Sequence, residues 1–286
     1  MTKPVQRRRI LRVEVGVGAT PAHDSLAAEE PLEIRVGGTS FAVTMRTPGH
    51  DFDLVAGFLV SEGVVTSPAD LRTMIYCAQS PTPPTARHPR QALEENTYNV
   101  IDVGVTGAGT VVAASRERNV YTSSSCGVCG LASIDAVATT SAFDVSADAV
   151  RVEAKVLGAL PDLLRDQQAV FERTGGLHAA GLFSSTGEAL AVREDVGRHN
   201  AVDKVVGQAL REDRLPLTGS VLQVSGRASF ELVQKAAMAG VPVLAAVSAP
   251  SSLAVDLADR LGVTLVGFSR GTTFNVYTHP ERVVVD

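Results

Sequence analysis

The chain has no tryptophan, 5% aromatic residues and three cysteines among 286 residues. Each shortage removes a class of function. With so few rings, a base-stacking surface for single-stranded nucleic acid is not expected. The formal net charge of −5 points the same way, because nucleic-acid proteins carry a basic footprint. An odd number of cysteines does not build a secreted disulfide framework. No run reaches the roughly 18 apolar residues of a membrane span. Arg7-Arg8-Arg9 opens like a leader, but Arg12 and Glu14 interrupt the apolar stretch behind it, so no signal peptide is expected. The expectation is a soluble cytoplasmic protein in a reducing compartment, with one large or two modest domains.

What the chain does contain is one place where two thiols must lie close together: Ser123-Ser124-Ser125-Cys126-Gly127-Val128-Cys129-Gly130. Small residues surround both sulfurs, and Gly127 and Gly130 permit positive φ, which suits an exposed loop. A thiol reacts as thiolate, the form a CxxC pair favours. Such a pair serves equally in half a zinc site, in a redox disulfide or in a sulfur carrier. A structural zinc needs four ligands, whereas the only other cysteine is Cys77 and no two histidines form an HxxxH pair, so no metal is assigned. A thioredoxin-like motif would follow a buried strand, and Arg116 to Thr122 is too polar for one.

Alternation at period two over Leu32–Val36, a Gly37-Gly38 turn and Phe41–Met45 predict a hairpin. Asp51 or Asp53 is placed to cap a helix carrying Leu54, Val55, Phe58 and Leu59, ended by Gly63. Ile10 to Val17 reads as a short leading strand followed by a loose connection, 79–97 as an exposed proline-rich loop, and 99–105 and 110–114 as strands. The second half alternates. A helical stretch over 154–173 is interrupted near Pro161, and a hairpin spans 179–193. Helices over 201–210, 230–238 and 253–261 then separate strands at 221–224, 243–247 and 264–268. That order calls for a parallel or mixed sheet with helices on both faces. The predicted architecture is α/β: a smaller β-rich N-terminal part over 1–120, the CxxC loop over 121–135 at the junction, and an α/β layer domain over 136–286.

Polar clusters fall at predicted strand ends, where α/β proteins keep their sites. They are Gly175–His178, Arg193–Lys204, Ser225-Gly226-Arg227-Ala228-Ser229 and Gly267–Asn275. A strand-Gly-Arg-Ser-helix turn offers N–H groups and a guanidinium to a phosphate, although Ser225 and Ser229 serve equally as turn and cap residues. Neither GxxxxGK(S/T) nor GxGxxG occurs, so no ordinary ATP or NAD fold is indicated. Zinc deaminases carry HxE before PCxxC. Here Ala180 stands in the glutamate's place and the CxxC precedes His178, which disfavours deamination.

Taken in order, Thr47-Pro48-Gly49, Gly57-Phe58-Leu59, Ser61-Glu62-Gly63, Ser125–Gly130, Gly176–Ala180, Glu194–Lys204, Ser225-Gly226-Arg227 and Gly267 through Thr278 resemble the FdhD family. These are sulfur carrier proteins needed for formate dehydrogenase activity. The resemblance implies a cytidine-deaminase-like α/β/α layer domain, usually a homodimer. It also implies that sulfur comes from a cysteine desulfurase as a cysteine persulfide and goes to the molybdenum cofactor, bis-molybdopterin guanine dinucleotide, for formate dehydrogenase. Carried over residue by residue, it makes Cys126 the persulfide cysteine and Cys129 its partner. Phe268, Ser269, Arg270, Gly271, Thr272 and Thr273 become the cofactor segment, which the reading of the residues extends to Ser225, Gly226 and Arg227. GDP, sharing guanine and diphosphate, is the expected surrogate ligand. The rival expectation is a chaperone that binds and protects the cofactor without carrying sulfur.

Overall fold

The computed structural model describes residues 3–77, 98–107 and 141–285. The strand expected over 110–114, the proline-rich loop, Cys126 and Cys129 lie outside the described residues. The N-terminal stretch forms a hairpin of β1 (Val5–Glu14) and β2 (Gly18–Ala27), paired antiparallel from Val5↔Ala27 to Glu14↔Gly18. The stretch expected as a loose connection is therefore a strand, its backbone satisfied by β1. Next come β3 (Glu30–Val36) and β4 (Thr39–Arg46), turning through Gly37 and Gly38 at φ 59° and 85°. Two consecutive positive φ values make the tight hairpin turn that glycine permits without strain. With β5 (Leu71–Tyr76) and β6 (Val100–Val105) they form a four-stranded sheet in the order β4-β3-β6-β5.

Helix α1 (Asp51–Ser61) follows β4. The expected aspartate cap is not what starts it. His50 occupies the N-cap at φ 56°, with no side-chain cap bond. Asp51 instead accepts from Arg46 Nη2 at 2.9 Å and from the Tyr76 hydroxyl at 3.1 Å. Asp53 pairs with Arg193 at 3.2 Å and with Arg211. These ion pairs recruited both aspartates away from capping.

The second half begins with a short strand, β7 (Val152–Glu153), and two helices, α2 (Ala154–Arg165) and α3 (Ala169–Thr174). Strands β8 (His178–Ser184) and β9 (Ala189–Asp195) lead to α4 (Arg198–Arg211). Then β10 (Ser220–Val224), α5 (Phe230–Met238), β11 (Val243–Ala246), α6 (Ser252–Leu261) and β12 (Thr264–Arg270) alternate as expected. β13 (Thr273–Val276) completes a six-stranded sheet in the order β13-β12-β11-β10-β8-β9. β14 (Val283–Val284) pairs with β7. In the large sheet β10, β11 and β12 are mutually parallel, while β8, β9 and β13 run antiparallel to their neighbours. The fold is mixed α/β. Among the described residues no helix is long and apolar enough to cross a membrane.

Pro161 does not interrupt α2, contrary to expectation. A mid-helix proline leaves the carbonyl four residues back without its donor. Here that carbonyl is Leu157 O, and Ser269 Oγ of β12 donates to it at 3.2 Å. On this face of the large sheet Leu157, Leu160 and Leu164 of α2 pack on Phe183, Val221, Val243 and Val266. Burying each leucine contributes about 2 kcal/mol. The other face carries α4, α5 and α6. Its core is continuous with that of the N-terminal sheet, through Leu54 and Leu59 of α1 and Val202, Val205 and Val206 of α4. Where α1 crosses α4, a Cβ on Gly57 would lie 1.8 Å from Asp203 O, and one on Gly207 would lie 1.8 Å from Asp53 O. Only glycine at both positions allows this approach.

Candidate functional site at the carboxyl edge of the large sheet

The parallel strands β10, β11 and β12 all end on one edge, and their loops stay tied side by side. Ser225 holds the start of β8: its N–H donates to Ala179 O at 3.0 Å, and its Oγ accepts from Ala179 N at 2.9 Å. Ser248 N donates to Gly226 O at 3.3 Å, and Phe268 N donates to Ser248 O at 3.2 Å. Ser248 therefore joins the two turns that sequence reasoning singled out, Ser225–Arg227 and Phe268–Thr273. It carries no motif of its own and was missed. Phe268 adopts φ 52° and is 40% exposed, a costly conformation for a bulky residue. Beside it a Cβ on Gly267 would meet Pro250 Cδ at 2.9 Å. Arg227, Arg270, Gly271, Thr272 and Thr273 are exposed. Ser269 is fully buried and spends its hydroxyl on Leu157 O, anchoring the turn from beneath.

The polar stretch 194–204 divides in two. Asp195 is fully buried; it pairs with Lys204 at 2.7 Å and accepts from the N–H of Thr47 and Gly197 and from Asn200 Nδ2. Lys204 also donates to Thr47 O, and Asn200 to Met45 O. Asp203 is held by Lys235 and Ser61. These residues bolt α4 to the N-terminal part. Arg198 and His199 face the edge instead. His199 Nε2 lies 2.6 Å from Glu231 Oε2 and 3.3 Å from Ser229 Oγ. The ring of His178 lies against Gly226, with Arg198 alongside. Burial, then the charges of Arg198 and His199, push His178 below the usual histidine range, and Asp195 opposes them.

Between α2, α3 and this edge opens a cleft of about 600 Å³, lined by Leu164, Gln168, Phe171, His178, Val196 and Ser225 among others. Such a volume falls in the range of small-molecule and cofactor sites. The edge offers arginines, close-approach glycines and an exposed ring, which suit a flat polyanionic ligand. Among the described residues no cluster of metal-ligating side chains occurs.

Fold and edge together describe a mixed α/β protein whose parallel strands end on one edge beside a cleft. The chain belongs to the FdhD/NarQ family, whose model matches residues 27–284. It is 56% identical over 286 residues to a sulfur carrier protein FdhD of Streptomyces coelicolor, covering 100% of this chain and 98% of that one. It is 57% identical over 260 residues to the protein of the same name in Mycobacterium tuberculosis, covering 91% and 92%. In fold it is similar to the crystal structure of a chain from Desulfotalea psychrophila described as a formate dehydrogenase accessory protein. That likeness has a TM-score of 0.73 and 22% identity, covering 98% of this chain and 99% of that one.

Proposed function

We propose that this chain is a sulfur carrier that serves the maturation of a formate dehydrogenase. The observation that carries the reading is its 56% identity, over its whole length, to a protein named for that role. The isolated thiol pair supplies a chemistry to match.

In this reading the Cys126 thiolate attacks the terminal sulfur of a persulfide on a cysteine desulfurase. A new S–S bond forms at Cys126, the old one breaks, and its electron pair leaves on the desulfurase cysteine. Cys129 thiolate then attacks Cys126 Sγ. The Cys126–Cys129 disulfide forms, hydrosulfide leaves to the acceptor, and a dithiol reductant restores the pair. The acceptor is cargo: bis-molybdopterin guanine dinucleotide, seated by Ser225, Gly226, Arg227, Phe268, Arg270, Gly271, Thr272 and Thr273, with Ser269 positioning the turn. The exposed guanidinium groups of Arg227 and Arg270, which make no ion pair among the described residues, and the exposed Phe268 ring fit a polyanion with guanine ends. The proposal includes a homodimer working in the cytoplasm, with the large sheet layered as in cytidine deaminases.

Intact mass after incubation with a desulfurase and cysteine tests it. The expected result is a gain of one sulfur atom, abolished by Cys126→Ala and retained by Cys77→Ala. Loading and client activation that survive in Cys126→Ala overturn the assignment. Activation without any loading supports the rival cofactor chaperone.

A further inference from the structure

A two-stranded hairpin has little stability of its own in water, and the N-terminal one stands almost alone. Its base is anchored. β2 packs against α3, and a Cβ on Gly176, which lines the cleft, would meet Ala27 Cβ at 3.6 Å. From Leu11 through the tip to Pro21 every residue is exposed. Leu11, Val13, Val15 and Val17 are between 62% and 96% exposed. Apolar residues uncovered this close together mark an interaction surface rather than chance single exposures.

The register decides which edge of the arm is open. Ala28 N donates to Pro4 O at 2.9 Å, and bonded and non-bonded pairs alternate along an antiparallel ladder. Counting on from Val5↔Ala27, the N–H and C=O of Arg7, Arg9, Leu11 and Val13 point away from β2. On the opposite strand Pro21, which faces Leu11, also falls at an outward position. Its missing N–H blunts that edge. β1 contains no proline, and among the described residues no strand pairs with its outer edge. One edge of the arm is closed and the other is open.

The open edge is also basic. Arg7, Arg8, Arg9 and Arg12 form no ion pair among the described residues, and the hairpin answers them only with Glu14 and Asp24, on a chain of net charge −5. Two copies of β1 paired antiparallel about the middle of the strand would set arginine opposite arginine, which is unfavourable. An anionic segment meets no such penalty. The hairpin has no aromatic residue of the kind that seats a protein at a lipid surface. The family model begins at residue 27, so the arm lies outside the part of the chain that it describes.

We propose that the open edge of β1 is the docking site for an extended acidic segment of a partner protein, which joins the hairpin as a third strand. Main-chain bonds to the outward groups of Arg7, Arg9, Leu11 and Val13 hold the segment. Its carboxylates meet the arginines, and its apolar residues cover Ile10, Leu11 and Val13 nearer the tip. Because the base of the arm adjoins the cleft, the docked partner is held beside it. The assignment stands apart from the sulfur chemistry proposed above and does not depend on it.

Fluorescence anisotropy of a labelled, end-capped peptide, Val-Glu-Val-Val-Glu-Glu-Glu-Thr, titrated with the full chain tests the assignment. Laid antiparallel to β1, this peptide sets its glutamates opposite the arginines. The expected result is saturable binding that weakens as salt is added and is absent when lysine replaces each glutamate. Leu11→Pro removes an outward N–H and no bond to β2, and is expected to weaken binding about ten-fold. Arg7→Glu combined with Arg9→Glu is expected to weaken it further. Absence of saturable binding overturns the inference, as does binding that either variant leaves unchanged. Self-association in sedimentation that Leu11→Pro abolishes would give the edge to a second copy and overturn it too. So would binding to phosphatidylglycerol vesicles, lost in the arginine variant, by a chain that ignores the peptide.

Discussion

The stretch from Glu194 to Lys204 contains two regions with opposite electrostatic habits. Toward the N-terminal part, Asp195, Asn200, Asp203 and Lys204 are all buried and all partnered. Toward the carboxyl edge, Arg198 has a buried nitrogen with no partner, and the side chains of His178 and Gln168, which line the cleft, make no hydrogen bond among the described residues. Burial alone does not separate the two sides, since Gln168 is as hidden as Asn200. Partnering does. A polar group that the fold needs for itself has its bonds filled from within. A group left open beside a cleft is available to something that is not yet there.

The sharpest way to break the contrast is to remove one half of a paired group. Lys204→Ala leaves Asp195 fully buried and without its 2.7 Å ion-pair partner. The expected cost is about 3–5 kcal/mol, read as a lower urea midpoint at unchanged slope. A loss under about 1 kcal/mol would show that the buried network does not hold α4 to the N-terminal part.

The helix crossing beneath the network comes next. Gly207→Ala drives a methyl group into Asp53 O of α1, and separating the helices is expected to cost about 1–3 kcal/mol. Gly175→Ala is a useful contrast. Its Cβ meets nothing within 4 Å and its φ is 65°, so only backbone strain, about 1 kcal/mol, is expected there.

A third contrast falls on two adjacent residues. Ser269→Ala uncovers Leu157 O, the carbonyl orphaned by Pro161, and is expected to cost about 1–2 kcal/mol. Arg270→Ala, one residue on and exposed, is expected to change stability by less than about 0.5 kcal/mol while weakening GDP. Thermal melts and calorimetry on the pair test whether structural and ligand duties divide between neighbours. Equal destabilisation by both would erase the distinction drawn here between the turn's two sides.

Much of this organisation was legible from residue order. Period-two alternation placed β3 and β4, and Gly37-Gly38 placed their turn. Alternating apolar runs placed β10 through β12 and the helices between them, because core burial writes its period directly into the chain. The motif residues at strand ends fall together on the carboxyl edge of β10 and β12, because a turn that follows a parallel strand leaves on that side of the sheet. What residue order could not supply was partnership across distance. Pro161 reads as a helix break until Ser269 arrives to fill Leu157 O. Asp51 and Asp53 read as caps until Arg46, Arg193 and Arg211 claim them. In each case the local preference is worth about 1 kcal/mol, whereas satisfying a buried charge or an orphaned carbonyl is worth as much or more. The competing partners lie tens of residues away, and only the tertiary structure brings them within reach.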